Sequence, residues 1–264
     1  SYNDFYNQKF SNFRILAIVS PHMDFKISRS TYANIYNCLL SNIVQNKREI
    51  ENIFIFGVSH YYHKNPISIF PLDFDTPFGL LKTNKDLINK IKKNLENILK
   101  EDYFDLFEDI LVYRSEHSIE AQIPYVKLLE KKLNDYFYKN KEIKVISMII
   151  SYGNIALFDK ITDSFINEID LNKTIFISSI DLSHVGKKFG DKNSFDPESY
   201  DKKYLELLGS LKTDELFYFE NVSKIDGIFS NTFLSIVLNK IIAKQNIKIN
   251  YEIIDYKKYK DKLM

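Results

Sequence analysis

The residues best suited to chemistry in this chain of 264 residues are its five histidines. His22, His60 and His184 each follow an apolar, β-rich run within four residues, and His117 lies in "SEHSIE", between another such run and a helical segment. Neutral imidazole is the commonest metal ligand, and its pKa near neutrality suits it to proton transfer. A single histidine beside a strand more often has a structural role. Four histidines placed alike favour a metal centre or an acid–base site.

Two further residues accompany these histidines in the sequence. Asp181 precedes His184 in "DLSHVG", and His63 follows His60 in "SHYYH". The second pair lacks the H-E-x-x-H pattern of helical zinc sites. His63 is therefore predicted to be exposed or to lie behind the site.

The apolar runs alternate with longer segments of helical period, which is the pattern of parallel strands joined by crossover helices. We therefore predict an α/β fold with a mostly parallel central sheet flanked by helices. The predicted strands are 13–20, 52–59, 109–115, 143–150, 174–180 and, near the end, 247–256. Because ligands bind outside the carboxyl ends of the strands in open α/β sheets, the histidines fall where a site is expected.

The predicted helices fill the intervals between those strands. Ser115 is a candidate cap for the amphipathic segment that follows it, and Pro124 should bend that helix or shift its start. No repeat, low-complexity tract or linker divides the chain, so residues 1–264 are predicted to form one domain. The predicted helical segments are 29–47, 84–100, 116–133, 156–169 and most of the chain after Asp196.

Composition disfavours several classes of function. Basic and acidic residues nearly cancel, giving a formal charge of +1, so nothing indicates a nucleic-acid partner or an anionic membrane. The longest apolar runs are too short to span a bilayer and the polar start lacks a signal-peptide core, so a cytoplasmic location is predicted. Cys38 is the only cysteine, which rules out an intrachain disulfide and a multi-cysteine metal site. The sequence has no glycine-rich nucleotide-binding motif.

Four segments resemble the conserved blocks of the Memo family in order and separation: "SPHMDFKISRSTYA", "IFGVSHYYH", "SEHSIEAQIPYV" and "ISSIDLSHVG". The resemblance covers roughly residues 14–240, on the scale of a single domain. It implies a fold similar to that of class III extradiol ring-cleaving dioxygenases, a cytosolic location and a cleft that holds several histidines. In ring-cleaving relatives two histidines and a carboxylate hold Fe(II).

The resemblance also implies roles for individual residues. His22 and His60 match the two metal-ligand histidines of the family. His184, with Asp181 nearby, matches the histidine of the D-x-x-H block, and His117 would line the same cleft. His184, Asp181 and His117 are the candidate catalytic residues.

The third metal ligand of the family is a cysteine, and Phe229 falls where the resemblance places it. A phenyl ring cannot bind a metal. The family site would therefore be complete only if Asp181, Asp226 or Glu116 takes the place of that cysteine. The expected cofactor is Fe(II) or another divalent metal. It would be bound weakly if none of these carboxylates replaces the cysteine.

Three functions remain open from the sequence. The first is a metal-dependent oxidoreductase that acts on a phenol-like or other small substrate, with His184 moving protons. The second is a non-catalytic protein that binds a small molecule or a peptide in the same cleft. The third is a zinc-dependent hydrolase. The resemblance further implies AMMECR-type and radical SAM proteins as partners, and a fold alone does not establish a reaction.

Overall fold

The apolar runs of the sequence form the centre of a six-stranded sheet in the computed structural model, which describes residues 13–137, 140–189, 196–219 and 224–259. The strands are β1 (Ala17–Ser20), β2 (Asn52–Val58), β3 (Ile67–Ile69), β4 (Lys82–Thr83), β5 (Lys144–Ile150) and β6 (Thr174–Ser179). Their order is β1, β6, β2, β5, β3, with β4 also paired to β5. All neighbours are parallel except β3, which runs antiparallel to β5. The predicted α/β fold is confirmed.

The central strands are apolar throughout because both faces of the sheet are covered. In β2, Phe54 and Phe56 join one buried cluster, whereas Ile53 and Ile55 join the cluster on the opposite face. Alternate side chains of one strand thus stabilise two separate helix layers, and the described residues form one α/β domain.

Helices α1 and α4 cover one face of the sheet, and α2, α5 and α8 cover the other. None of the helices in the described ranges is long and apolar enough to cross a membrane. The helices are α1 (Phe25–Gln45), α2 (Lys85–Leu99), α3 (His117–Glu120), α4 (Ile123–Phe137), α5 (Ile155–Asp163), α6 (Pro197–Gly209), α7 (Thr213–Tyr218) and α8 (Ile228–Gln245). Short 3₁₀ helices occur at Lys100–Asp102, Ile110–Arg114 and Lys187–Phe189.

The strand predicted at 109–115 is wrong, because that segment contains the 3₁₀ helix Ile110–Arg114. The side of β5 away from β2 is already paired, by β4 near its start and by β3 near its end, so this segment finds no free position beside β5. Tyr113 instead donates a hydrogen bond from its hydroxyl group to the carbonyl oxygen of Ser68 in β3, with 2.9 Å between the two oxygen atoms. A sequence pattern suited to a strand does not form one where every adjacent edge is occupied.

The two predictions about the start of the 116–133 segment had different outcomes. Ser115 is not the cap, because the side chain of Glu116 accepts the hydrogen bond from the backbone N–H of Ser118. The predicted effect of Pro124 is confirmed. The proline is the second residue of α4, so the 116–133 segment divides into a short helix and a long one.

The strand predicted at 247–256 is also wrong, because the segment has no regular secondary structure and pairs with no strand among the described residues. Side chains near its end fix it to two helices. Asp255 accepts hydrogen bonds from Thr31 and Asn34 of α1, and Tyr256 donates one to Asp201 of α6. The segment therefore follows the surface of the domain and is not part of the sheet.

Gly227, which precedes α8, provides the first test of the fold. Its φ of +84° lies in the left-handed region, and a Cβ there would overlap Ile180 and lie 2.8 Å from Cγ2 of Val58. We expect Gly227→Ala to lower the free energy of unfolding by about 2–5 kcal/mol, from the strained backbone and the overpacking together.

Gly79→Ala is the matched control. Gly79 also has a positive φ, +109°, but a Cβ there would meet only the Lys127 side chain at 3.7 Å. Its cost should be the backbone strain alone, about 1–2 kcal/mol. Urea denaturation measures both values, and equal losses in the two variants would contradict the packing argument.

Candidate metal centre

Three histidines from separate parts of the chain meet at the carboxyl edge of the sheet. His22 follows β1, His60 follows β2 and His117 begins α3. The ring centroid of His22 lies 5.1 Å from that of His60 and 5.2 Å from that of His117. The rings of His60 and His117 stack, with their centroids 4.5 Å apart. One ligand atom of each residue lies within 4.8 Å of those of the other two, so the three imidazoles could hold one metal ion.

A carboxylate behind each of two histidines fixes its position. The backbone N–H of His22 donates to Oδ1 of Asp181 at 3.0 Å, which joins the loops after β1 and β6. Glu116 accepts from both the backbone N–H of His60, at 2.8 Å, and its ring Nδ1, at 2.9 Å. The Nε2 atom of His60 is thereby directed to the centre.

Glu116 is excluded as the third metal ligand by its own hydrogen bonds. Its buried side chain lies on the Nδ1 side of His60, and Oε1 also accepts from the backbone N–H of Ser118 at 2.8 Å. Burial alone would raise the pKa of Glu116, but the hydrogen bonds from His60 and Ser118 outweigh it and lower the pKa to about 2. Glu116 is a charged support for His60.

Asp226 is the carboxylate that faces the histidines. Its Oδ2 atom accepts hydrogen bonds from Nε2 of His22 at 3.1 Å and from Nε2 of His60 at 2.9 Å. Burial opposes the charge, yet these two hydrogen bonds hold the pKa of Asp226 well below its usual range. Burial likewise lowers the pKa of His60, but the bonds to Asp226 and Glu116 prevail and raise it to about 10.

Phe229 does not occupy the position that the resemblance gave it. Its ring lies against Phe158 of α5 and Phe217 of α7, with centroids 6.3 Å and 6.0 Å apart, on the core side of α8. Asp226 and Gly227 instead lead into α8 at the histidines. The side chain opposite His22 and His60 is thus that of Asp226, three residues before Phe229.

His184 and Asp181 lie at the border of the centre. The backbone N–H of His184 donates to the carbonyl of Lys224, which places its Nε2 atom 3.9 Å from Oδ2 of Asp226. Its ring contacts Phe189, at 5.1 Å between centroids, and remains about one-third exposed. Oδ2 of Asp181 is 3.7 Å from Nε2 of His22. All five candidate residues thus meet in one cleft, as expected.

The two remaining histidines differ in their surroundings. His117 is half-exposed, and burial together with the positive charges of His60 and His22 lowers its pKa, which favours a neutral imidazole. His63 is only 5% exposed and does not belong to the cluster of His22, His60 and His117. Of the two predicted positions, it therefore takes the one behind the site. Burial lowers its pKa as well.

Sequence reasoning missed two polar residues that hold the loops together. Ser118 bonds to both the backbone N–H and the carbonyl of Val58 at the end of β2. Gln122 donates to the carbonyl of Pro21 and to Oγ of Ser179, and it accepts from the hydroxyl of Tyr36. The signal was a pair of polar residues on the apolar face of an amphipathic segment.

Comparisons with known proteins show the family of this chain. The sequence model of the family described as Memo-like protein matches residues 2–262. A MEMO1 family protein of Aquifex aeolicus is 33% identical over 252 residues, which cover 94% of this chain. MEMO1 family proteins of Saccharomyces cerevisiae and Pyrococcus abyssi are 29% and 26% identical over 72% and 67% of this chain. The matches cover 61%, 56% and 55% of these relatives, so the chain spans under two thirds of their length.

The buried charge of Glu116 makes stability depend on pH. Because its folded pKa of about 2 lies below its ordinary value of 4.5, its contribution is complete above pH 4.5 and falls as the pH drops towards 2. We expect Glu116→Gln to cost about 1–3 kcal/mol at pH 7 by leaving buried N–H donors poorly paired. The difference from wild type should shrink between pH 5 and pH 3.

Glu120→Gln in the same helix is the control, since Glu120 is exposed. It should change the free energy of unfolding by less than about 0.5 kcal/mol at either pH. Chemical denaturation at several pH values measures both variants. A cost for Glu116→Gln that stays constant from pH 7 to pH 3 would argue against the charged hydrogen-bonded carboxylate.

Proposed function

This chain belongs to the Memo-like protein family, and we propose that it is a divalent-metal protein with His22, His60 and Asp226 as ligands. Two histidines and one carboxylate that leave open positions are the ligand set typical of non-haem Fe(II) oxygenases. We therefore propose Fe(II) as the ion and oxidation of a small hydroxyl-bearing or phenol-like molecule as the reaction.

The observation that carries the proposal is the position of Asp226 Oδ2, 3.1 Å and 2.9 Å from the two Nε2 atoms. Two ligand atoms that each lie about 2.1 Å from one ion, at right angles to each other, are about 3.0 Å apart. The two measured separations match that value. The carboxylate also supplies the anionic ligand that two neutral imidazoles lack.

The surroundings of the two histidines support the same ligand set. The bond from His60 Nδ1 to Glu116 corresponds to the carboxylate–histidine pair that commonly orients a metal-bound imidazole. Nδ1 of His22 is buried without a hydrogen-bond partner among the described residues. Within the described ranges, the hydrogen bond of that ring is therefore made by Nε2, the atom that faces Asp226.

When bound, the ion would supply Lewis acidity and open positions for an oxygen ligand and dioxygen. The chain's own residues would position the substrate and move its protons. His184, beside Asp226, would take the hydroxyl proton of the substrate, and neutral His117 would donate or accept a hydrogen bond on the same side. The cytoplasmic location and the AMMECR-type and radical SAM partners implied by the resemblance stay predictions.

The first test concerns the ligands. Under anaerobic conditions the wild-type protein should bind one Fe(II), and Asp226→Asn should weaken that binding roughly a hundredfold or more, because the amide removes the anionic ligand. Phe229→Cys is the matched control and should leave the affinity unchanged, since that side chain packs against Phe158 and Phe217. If Asp226→Asn binds Fe(II) as tightly as wild type, or Phe229→Cys binds it more tightly, the proposed ligand set is wrong.

The second test separates metal binding from chemistry. His184→Ala should retain the wild-type Fe(II) stoichiometry, whereas His22→Ala should lose the ion. With a panel of catechols and other phenols, oxygen consumption by the loaded His184→Ala protein should fall about 100-fold or more. Equal metal loss in the two variants would contradict this division of roles. Tight binding without oxygen consumption would favour the non-catalytic protein, and ester or amide hydrolysis with zinc alone would favour the hydrolase.

A further inference from the structure

The cleft at the histidines continues into a cavity along the outer side of β1, with a total volume of about 2070 Å³. Its lining contains every residue from 13 to 25 and every residue from 247 to 259. The face of a strand would contribute alternate residues, whereas the edge of a strand contributes consecutive ones. The cavity therefore lies between the outer edge of β1 and the segment 247–256, and we name this part the edge slot.

The β1 side of the edge slot has free backbone groups. The carbonyls of Leu16 and Ser20 accept from Phe176 and Ile180, so residues 16, 18 and 20 direct their backbone groups towards β6. Ala17 and Val19 must then direct their N–H and C=O groups away from the sheet. No neighbouring strand among the described residues takes them up, because β1 is the last strand on that side.

The N-terminal end of this edge is closed, in contrast to its centre. The backbone N–H of Ile15 donates to the Asn42 side chain at 2.9 Å, and its carbonyl accepts from Arg48 at 2.6 Å. Two side chains thus take the place of a neighbouring strand at Ile15. The open part of the edge begins at Ala17 and leads towards His22.

The opposite side of the edge slot has the sequence of a strand. In "IKINYEI" the residues Ile247, Ile249, Tyr251 and Ile253 alternate with Lys248, Asn250 and Glu252. Ile247 and Ile249 pack against the core, but Tyr251 and Ile253 are about half exposed. The segment starts after α8 and is fixed near α1, so it runs in the same direction as β1. It is a strand-like segment without a neighbouring strand.

We propose that the edge slot binds one extended polypeptide strand with an apolar side chain at every second residue. Such a strand would donate and accept hydrogen bonds at Ala17 and Val19, and its alternate side chains would cover the apolar walls. From the strand spacing, the sheet spacing and the rise, a strand takes up about 160 Å³ per residue, so six residues need about 950 Å³. The whole cavity, which includes the histidine cleft as well as the edge slot, has about 2070 Å³, more than twice that volume.

Two other occupants fit the edge slot less well. A purely apolar small molecule would remove the outward backbone groups of Ala17 and Val19 from water without bonding to them, which is unfavourable. A second folded copy cannot pair its own sheet with β1, because the segment 247–256 covers the approach. A single strand avoids both problems.

The experiment uses the whole chain and peptides selected from a random ten-residue library. Selected peptides should have period-two apolar residues and no proline, and binding should slow amide hydrogen exchange at Ala17 and Val19 at least tenfold. Ile18 is the internal control, since its N–H already faces β6 and should show no change. The same peptide with N-methyl groups at alternate positions should bind at least tenfold more weakly.

Three results would overturn the proposal. They are a library that yields no binder, a binder that leaves the exchange of Ala17 and Val19 unchanged, and a free protein in which those two amides are already as protected as Ile18. The last result would mean that a segment of the chain outside the described ranges fills the edge slot. The peptide selection and the exchange measurements use the whole chain without added metal, so failure of the metal proposal leaves this test intact.

Discussion

The arrangement of the site depends on one shared carboxylate, Asp226, between the imidazoles of His22 and His60. A mostly buried carboxylate is costly unless it is paired, and here two N–H groups from different strand ends pair it. The same residue directly precedes Gly227 and α8, where the positive end of the helix dipole favours a negative charge. Ser230 then bonds to the carbonyl of Gly57 in β2 at 2.7 Å. The start of α8 and the end of β2 are thus fixed as one unit.

A second set of hydrogen bonds holds the backbone behind the histidines. Three side chains of the segment "EHSIEAQ" bond to residues at the ends of β1, β2 and β6. Glu116 bonds to His60 and Ser118 to Val58, at the end of β2. Gln122 bonds to Pro21, after β1, and to Ser179, at the end of β6. Each of the three polar side chains is buried and paired. The segment therefore connects the ends of three adjacent strands through hydrogen bonds. Its residue types follow from the backbone groups that it must satisfy.

Local sequence identified the strands that are buried on both faces and failed where pairing decided the outcome. The runs of β2, β5 and β6 are apolar enough to form strands only in the interior, so their positions were predicted closely. The segments 109–115 and 247–256 have comparable β-propensity, but the first meets an edge already occupied and the second has no adjacent strand. Strand propensity describes a segment, whereas strand formation also requires a free neighbouring edge.

The sequence likewise identified some residues of the site and left others undecided. His22, His60 and His184 were predicted because each follows a strand, and strand ends can be read from sequence. His117 was predicted from a strand at 109–115 that the structure replaces with a 3₁₀ helix. Asp226 was only one of three candidate carboxylates, because the sequence does not show how the chain enters α8. The dipeptide Asp226–Gly227 held the relevant signal, since a glycine with a positive φ allows the chain to turn into the helix while the aspartate faces the cleft.

The proposed ligand set would connect metal binding to the stability of the whole domain. His22 and Asp226 are 204 residues apart in sequence, and they meet only after β1, β6 and α8 have packed together. The unfolded chain has no comparable site, so an ion bound there stabilises the folded state, by about 2.7 kcal/mol at a free concentration 100 times Kd. A carboxylate is also a harder ligand than the cysteine implied by the resemblance, so Asp226 as a ligand would favour Fe(II) or Mn(II) over soft ions. A carboxylate in place of a thiolate would also change the pH range of metal binding, because a thiol and a carboxylic acid lose their protons at different pH.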